Sequence, residues 1–349
     1  MDFKTKISRQ LEQPKPKPLL AVYDLAVLPY SFDIVHFICN AEIERYTKSC
    51  DKVIFIFVCH ESDPAPERSF LCRGKNNHWQ YLYNILLASV RCYSRKKSIL
   101  IFNNRKEFVE YFLKLDEKIP TFPSNYDPLN PPWLSGNKDL VPHCFAHGIE
   151  HFRKSSDFYC ISPPNEQIKL ARKWLSENVK DRHRITITLR EYGFSTKRNS
   201  KISEWQKLVD SYSNEKYQFI VLRDYETLYD TRPLLGDNVT YCNEAVLDAS
   251  FRAALYEECM LNLGVSNGPL MLAMQNKNSN FIIFKILCEE RGCRLEDVEK
   301  YVGISYNENL PSMKEYQKVV WQTDDYKTLK KETDEMIARL AEGGFDCQK

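Results

Sequence analysis

Glycine is scarce in this chain, 11 among 349 residues. None of them falls into GxGxxG, into the GxxxxGK[ST] loop that cradles nucleotide phosphates, or into a GxSxG elbow. No two aspartates stand one residue apart, which removes the carboxylate pair that would hold a metal on a nucleotide. The twelve cysteines form no CxxC pair. That excludes a spaced zinc site and a disulfide framework, and the cysteines read as buried thiols of a reducing compartment. No apolar run approaches the ~20 residues of a membrane helix. Met1-Asp-Phe-Lys-Thr-Lys has no apolar core behind it, so no signal peptide is expected. Net charge is only +2, which gives no electrostatic case for nucleic acid as a partner. These absences describe a cytoplasmic, soluble protein, with peripheral membrane contact left open.

Hydrophobic content of 43% and charged content of 28% are ordinary for a globular chain of this length, which has room for two domains. Residues 1–18 are polar and rich in proline and lysine and read as a loose lead-in. Beyond them, mostly apolar strands at Leu19–Leu28, Val53–Val58 and Ser98–Phe102 alternate with helical patterns from Ile34 to Lys48 and from His78 to Cys92. Continuous apolar strands between amphipathic helices predict a parallel sheet covered on both faces. Prolines at 120, 123, 128, 131, 132 and 142 then exclude regular structure over 119–142.

Helical periodicity resumes after Ser162, its expected N-cap, and runs to Asn178. A second alternating set follows. Strands are expected at Arg184–Leu189, Tyr217–Leu222, Asn238–Cys242, Met260–Val265, Asn280–Lys285 and Lys318–Gln322, and helices near 203–213, 248–258 and 269–276. A last amphipathic helix spans Asp325–Glu342. The expected architecture is α/β: two Rossmann-like parallel-sheet domains facing a cleft, 1–155 and 156–325. Residues 326–349 would form a C-terminal helix crossing back to the first domain. Ligands of such folds bind at the C-terminal edges of the strands.

The most informative segment is Leu261-Asn-Leu-Gly-Val-Ser-Asn-Gly-Pro-Leu-Met-Leu-Ala-Met274. It reads as a buried strand, a turn at Ser266, Asn267, Gly268 and Pro269, and a helix opening at the proline. Free N–H groups at a helix start suit a phosphate, although an ordinary strand–helix turn has the same pattern. Arg190 ends the apolar strand Ile185-Thr-Ile-Thr-Leu, and Arg198 and Asn199 lie in the loop after it. Arginine offers phosphate two parallel hydrogen bonds, so this loop is a second candidate, set against plain surface salt bridging.

Asp224, after strand Gln218–Leu222, reads first as a helix cap and second as a ribose or base contact. Asp33, in Tyr30-Ser-Phe-Asp33, is a candidate general base or a helix cap, with His36 a second base candidate and Glu42 further along. His143, His147 and His151 are spaced i, i+4 and i+8. The third sits ~12 Å along a helix from the first, too far to share one ion, so no metal is expected there.

These residues resemble the GT-B class of glycosyltransferases. Val265-Ser-Asn-Gly-Pro-Leu-Met-Leu-Ala273 is similar to the D-S-G-P-x-H-x-A loop of lipopolysaccharide heptosyltransferases, with Ser266, Asn267 and Met271 replacing the aspartate, serine and histidine. Ile187-Thr-Leu-Arg190 resembles the strand-end arginine of fucosyltransferases of this fold, and Asp33 falls where heptosyltransferases carry their candidate base. The matching motifs span roughly 184–285.

The resemblance implies a nucleotide diphosphate sugar as donor and a carbohydrate or lipid-linked hydroxyl acceptor, as in surface polysaccharide biosynthesis. It implies that Arg190, Arg198 and the amides of Ser266–Pro269 hold the diphosphate, that Asp33 acts as base, and that neither metal nor other cofactor is needed. A sugar-nucleotide epimerase and a non-catalytic nucleotide-sugar binder are the alternatives on the same architecture.

Overall fold

The computed structural model describes residues 17–59, 78–124, 126–131, 159–193, 195–290 and 293–344. These fall into two compact units. The first holds 17–29, 40–59 and the described residues from 95 to 131. The second holds Tyr30–Cys39, 78–94 and everything described from 159 onward.

The first unit is a four-stranded sheet of β1 (Pro18–Asp24), β2 (Lys52–Val58), β3 (Lys97–Phe102) and β4 (Thr121–Phe122), in the order β3-β2-β1-β4. All its pairings are parallel. Every residue of β1 after Pro18 is buried, as a strand covered on both faces requires. The two-residue β4 pairs with Leu20 and Ala21. It corrects the expectation that 119–142 holds no regular structure: two residues between prolines suffice to extend the ladder.

Helix α1 (Asp33–Thr47) follows β1, and its first half, with the preceding loop, falls in the second unit as Tyr30–Cys39. Helix α2 runs from His78–Tyr81 through a π-helical turn, Leu82–Leu87, into Ala88–Arg91. Helix α3 (Arg105–Phe112) was not anticipated. Its cap is Asn104, whose side chain accepts the N–H groups of Lys106 and Glu107.

The second unit is built on six parallel strands. These are β5 (His183–Thr188), β6 (Tyr217–Leu222), β7 (Val239–Tyr241), β8 (Leu261–Val265), β9 (Phe281–Phe284) and β10 (Gln317–Val319), in the order β10-β9-β8-β5-β6-β7. Chain order runs outward in opposite directions from the central pair β5 and β8. That pair is the topological switch point, where connections leave to opposite sides and a crevice opens at the strand ends.

Helices α4 (Asn165–Asn178), α5 (Ile202–Asp210), α6 (Glu244–Leu247), α7 (Ala249–Glu258), α8 (Met271–Met274), α9 (Leu295–Tyr301) and α10 (Tyr326–Glu342) complete the unit. Ser162 is not the cap of α4. The helix begins behind Pro164, without a side-chain cap, and the Ser162 N–H is spent on Cys92 O at 2.8 Å.

One core joins Ile185, Ile187, Leu263, Phe284 and Trp205 to Leu329, Met336 and Leu340 of α10. The C-terminal helix expected to cross to the first domain therefore uses its apolar stripe inside the second unit. Its start is fixed by Asp325, whose carboxylate accepts the Thr328 N–H at 3.0 Å, as capping chemistry predicts.

Nine described cysteines are free thiols, eight of them buried. That fits the reading of packing thiols and leaves no disulfide among the described residues. No described helix is long and apolar enough to cross a membrane.

Leu263 is fully buried beside the switch point. Leu263→Ala is expected to cost about 2–5 kcal/mol, read as a lower urea midpoint with the transition slope unchanged. A loss below about 1 kcal/mol would contradict this packing.

Candidate functional site

Arg190 and the Ser266–Pro269 turn follow β5 and β8, the adjacent central strands. The fold thus brings together two segments separated by some seventy residues of chain. Gly264, beside the turn, is required by the approach of the strands: a Cβ there would stand 2.7 Å from Thr188 O.

Arg190 is 6% exposed. One amino group, Nη1, donates to Ser195 O at 2.9 Å and also to Asn199 Oδ1. The loop is cross-tied around it. Ser200 Oγ accepts the Arg190 N–H at 3.0 Å, Asn199 Nδ2 donates to Tyr192 O at 3.0 Å, and Ser195 takes the left-handed conformation (φ 55°). Asn199 is therefore committed to shaping the loop and orienting Arg190.

Arg198 reaches the other segment. Its Nη2 donates to Ser266 O at 3.4 Å, while its buried Nε has no partner among the described residues. Burial first, and the neighbouring Arg198 charge second, pull the Arg190 pKa down. Arg190 is thus a desolvated cation with a second cation, the half-buried Arg198, beside it, while the Asp224 carboxylate draws its pKa the other way.

At the turn, Asn267 Oδ1 accepts the Leu270 N–H at 3.2 Å, and its buried Nδ2 has no partner among the described residues. The structure narrows the expected amide cradle. The Ser266 N–H is bonded to Phe284 O at 2.9 Å and Pro269 has no N–H, so only Asn267 and Gly268 can offer backbone donors. The expected helix over 269–276 is also only the single turn Met271–Met274, so its dipole is slight. The positive field at this place comes from guanidinium groups.

Gly268 allows a close approach, but to protein: a Cβ would lie 2.9 Å from Phe32 Cβ. Phe32 belongs to the loop that carries Asp33, and one turn along α1 a ring nitrogen of His36 lies 3.3 Å from Met271 Sδ. The structure thus seats Asp33, His36 and the Ser266–Pro269 turn in one unit. Asp33 opens α1, where its charge suits the positive end of the helix. It accepts the Ser31 hydroxyl at 2.8 Å, and its N–H donates back to Ser31 Oγ at 3.2 Å. Glu42 takes no part, being locked on Arg45 at 2.7 Å.

Asp224 corrects its first reading. It precedes the short turn Tyr225–Thr227 without a side-chain cap bond. Its carboxylate instead accepts the N–H of Glu191 at 2.6 Å, bracing the residue after Arg190. Although the residue keeps some exposure, the carboxylate is packed deeply enough that desolvation raises its pKa, with Arg190 and Arg252 pulling the other way.

Sequence reasoning missed two buried ion pairs that frame the loop. Arg223 grips Glu191 through two hydrogen bonds of 2.9 and 2.7 Å. Lys285 lies 3.4 Å from the fully buried Asp324 and donates to Asn199 O at 2.8 Å. Asp324 also accepts the Lys201 N–H and Trp205 Nε1 at 2.7 and 3.0 Å. The available signal was a lone lysine directly after the apolar run Phe281–Phe284. Among the described residues no three His, Cys, Asp or Glu side chains are grouped to hold a metal. His143, His147 and His151 lie outside the described residues.

With this geometry in place, comparison with known structures is informative. The chain resembles the crystal structure of the glycosyl transferase family 9 from Veillonella parvula, at TM-score 0.50 and 9% identity, over 94% of this chain and 99% of that one. It is also similar to E. coli heptosyltransferase WaaC with ADP (TM-score 0.48, 11% identity, 92% and 100% of the two chains). A third similarity is to the fucosyltransferase NodZ from Bradyrhizobium (0.35, 10%, 71% and 88%). No family model matches the sequence, and no curated protein does. The first likeness shows a shared fold: α/β with two parallel sheets, the GT-B architecture anticipated above.

The raised Asp224 pKa has a testable sign. The folded state favours the neutral acid, so the stability it contributes is full below the ordinary value of 3.8 and is lost as pH rises through the raised folded value. Asp224→Asn keeps an acceptor for the Glu191 N–H and is expected to flatten that loss, read as unfolding midpoints from pH 4 upward. A variant with the wild-type pH slope would contradict the assignment.

Proposed function

We propose that this protein is a glycosyltransferase that moves a sugar from a nucleoside diphosphate donor to a hydroxyl acceptor. The observation that carries this reading is the buried Arg190 and the half-buried Arg198 at the β5/β8 switch point. There the buried Arg198 Nε and Asn267 Nδ2 donors have no partner among the described residues. A diphosphate answers each of these features: it brings negative charge to two neighbouring cations and accepts from several donors at once. The fold shared with a glycosyl transferase family 9 protein supports the same reading.

In this mechanism Arg190, Arg198, Asn267 and the Asn267 and Gly268 N–H groups bind the donor diphosphate. They stabilise the charge that builds on the departing nucleoside diphosphate as the glycosidic bond breaks. Preorganised charge of this kind is usually the largest contribution to catalysis. Asn199 and Asp224 hold the Arg190 loop in shape. Asp33 takes the proton from the attacking hydroxyl, and its bond from Ser31 orients the carboxylate. His36, against Met271, flanks that position. The arginines supply the positive charge, so no metal is required and chelation by EDTA should leave the rate unchanged.

Thermal-shift titration with ADP, GDP, UDP and CDP tests the donor site and names the base. Arg198→Ala is expected to weaken binding of the preferred diphosphate about 10- to 100-fold, the worth of a charged hydrogen bond, with the unliganded melting temperature preserved. Unchanged affinity would refute the site. Asp33→Asn is expected to keep donor binding and to lose transfer by about 10²- to 10⁴-fold. Full transfer in that variant would remove Asp33 as the base. A wild-type protein that binds the diphosphate but never turns over would instead be a nucleotide-sugar binder.

A further inference from the structure

Most aromatic side chains of the second unit are buried, but a group leading away from Arg190 is not. Trp79 and Tyr83 stand four residues apart on α2 and are 41% and 56% exposed. Their rings lie 6.4 Å apart and only 28° from parallel, forming a shelf on the solvent side of the helix. The π-helical turn Leu82–Leu87 begins between them and buries Leu82, Ile85 and Leu86 while leaving Tyr83 outward. Such turns recur at functional sites.

The shelf connects to the candidate donor site in steps. Tyr81, between the two exposed rings in sequence, packs 5.2 Å from Tyr225, whose hydroxyl donates to Gln80 Oε1. Tyr81 is also within electrostatic reach of Tyr192, Glu226 and Asp224. Tyr192 in turn lies 5.8 Å from the Arg190 guanidinium. Beyond Tyr225, Tyr229 is 86% exposed.

We propose that the Trp79–Tyr83 shelf, extended by Tyr225 and Tyr229, binds the sugar rings of a neutral glycan acceptor. The C–H face of a pyranose is apolar and stacks on an aromatic ring, while its rim of hydroxyls needs hydrogen bonds. Rigid rings provide the stacking surface at low entropic cost, and tyrosine hydroxyls and Gln80 provide the bonds. The exposed charge beside Tyr81 and Tyr225 is the Glu226 carboxylate. It disfavours the phosphates of a nucleic acid, which needs a cationic groove beside its aromatic platforms. A glycan lying here would lead toward the donor. The proposal deepens the glycosyl-transfer reading and rests on it.

The test compares wild type with Trp79→Ala/Tyr83→Ala on a glycan array of neutral, amino and uronic oligosaccharides, with ADP, GDP, UDP and CDP affinities measured alongside. Wild type is expected to retain at least one neutral oligosaccharide. The double variant, which alters exposed positions only, should lose at least about tenfold of that affinity while binding nucleoside diphosphate within about twofold of wild type. Equal retention by both proteins overturns the proposal, as does a wild type that retains no neutral glycan. A dimer of wild type that the double variant abolishes, seen by light scattering, would make the shelf a contact between copies and overturn it too. Failure of the donor reading is separate: it would show as no diphosphate binding in wild type, whatever the array gives.

Discussion

Two guanidinium groups brought together partly out of water leave a corner that favours an anion. Arg190, buried, and Arg198, half-buried, are neighbours in such a corner, and their loop is tied in place around them. Asn199 and Ser195 grip Arg190 from its own loop. The Ser266 carbonyl receives Arg198 from the neighbouring strand end. Breaking a buried pair is costly because it leaves a charge alone. The Lys285–Asp324 and Arg223–Glu191 pairs are therefore strong constraints on the loop they bracket. The order of strands does the rest: within the described six-stranded sheet, β5 and β8 are the pair whose ends stand side by side while their connections diverge.

The first unit has a comparable knot at the end of its own central strand. Asp24, 1% exposed, accepts the Tyr126 hydroxyl at 2.5 Å, pairs with Arg105 and takes the Ala26 N–H at 3.0 Å. Burial, with the nearby Asp24 charge second, holds the Tyr126 hydroxyl well above the usual phenol range. Directly before Tyr30-Ser-Phe-Asp33 the chain is fixed again, by the Tyr23 hydroxyl donating to Pro29 O at 2.6 Å. The loop bearing the candidate base therefore starts from an anchored stem.

Parallel strands were the most legible feature, because runs such as Tyr217–Leu222 and Phe281–Phe284 are apolar on both faces and the structure buries every residue in them. Caps with a free side-chain oxygen were legible in part. Asp325, read only as the first residue of its helix, caps it, whereas Ser162, read as a cap, does not, because two prolines intervene and its N–H is used elsewhere. Short elements escaped. The two residues of β4 and the single turn of α8 have no periodicity to detect, and their extent is set by neighbours.

At the site, the types and places of Arg190, Arg198 and Asn267 were readable from strand ends and turn chemistry. What each does to its neighbours was not. Asn199 orienting an arginine, Asp224 reaching back to Glu191 and Lys285 meeting Asp324 are contacts between segments remote in sequence. The packing of Phe32 against Gly268, which seats the Asp33 loop beside the turn, is another.

The central claim is that the Arg190–Arg198 corner exists to hold a diphosphate. A crystal structure with the nucleoside diphosphate that binds best, its phosphorus atoms located by their own scattering, tests this most directly. The account predicts phosphate oxygens within hydrogen-bond distance of Arg198 Nε and Asn267 Nδ2, beside the Asn267 and Gly268 N–H groups. A diphosphate bound elsewhere, with those donors still unpaired, would contradict it.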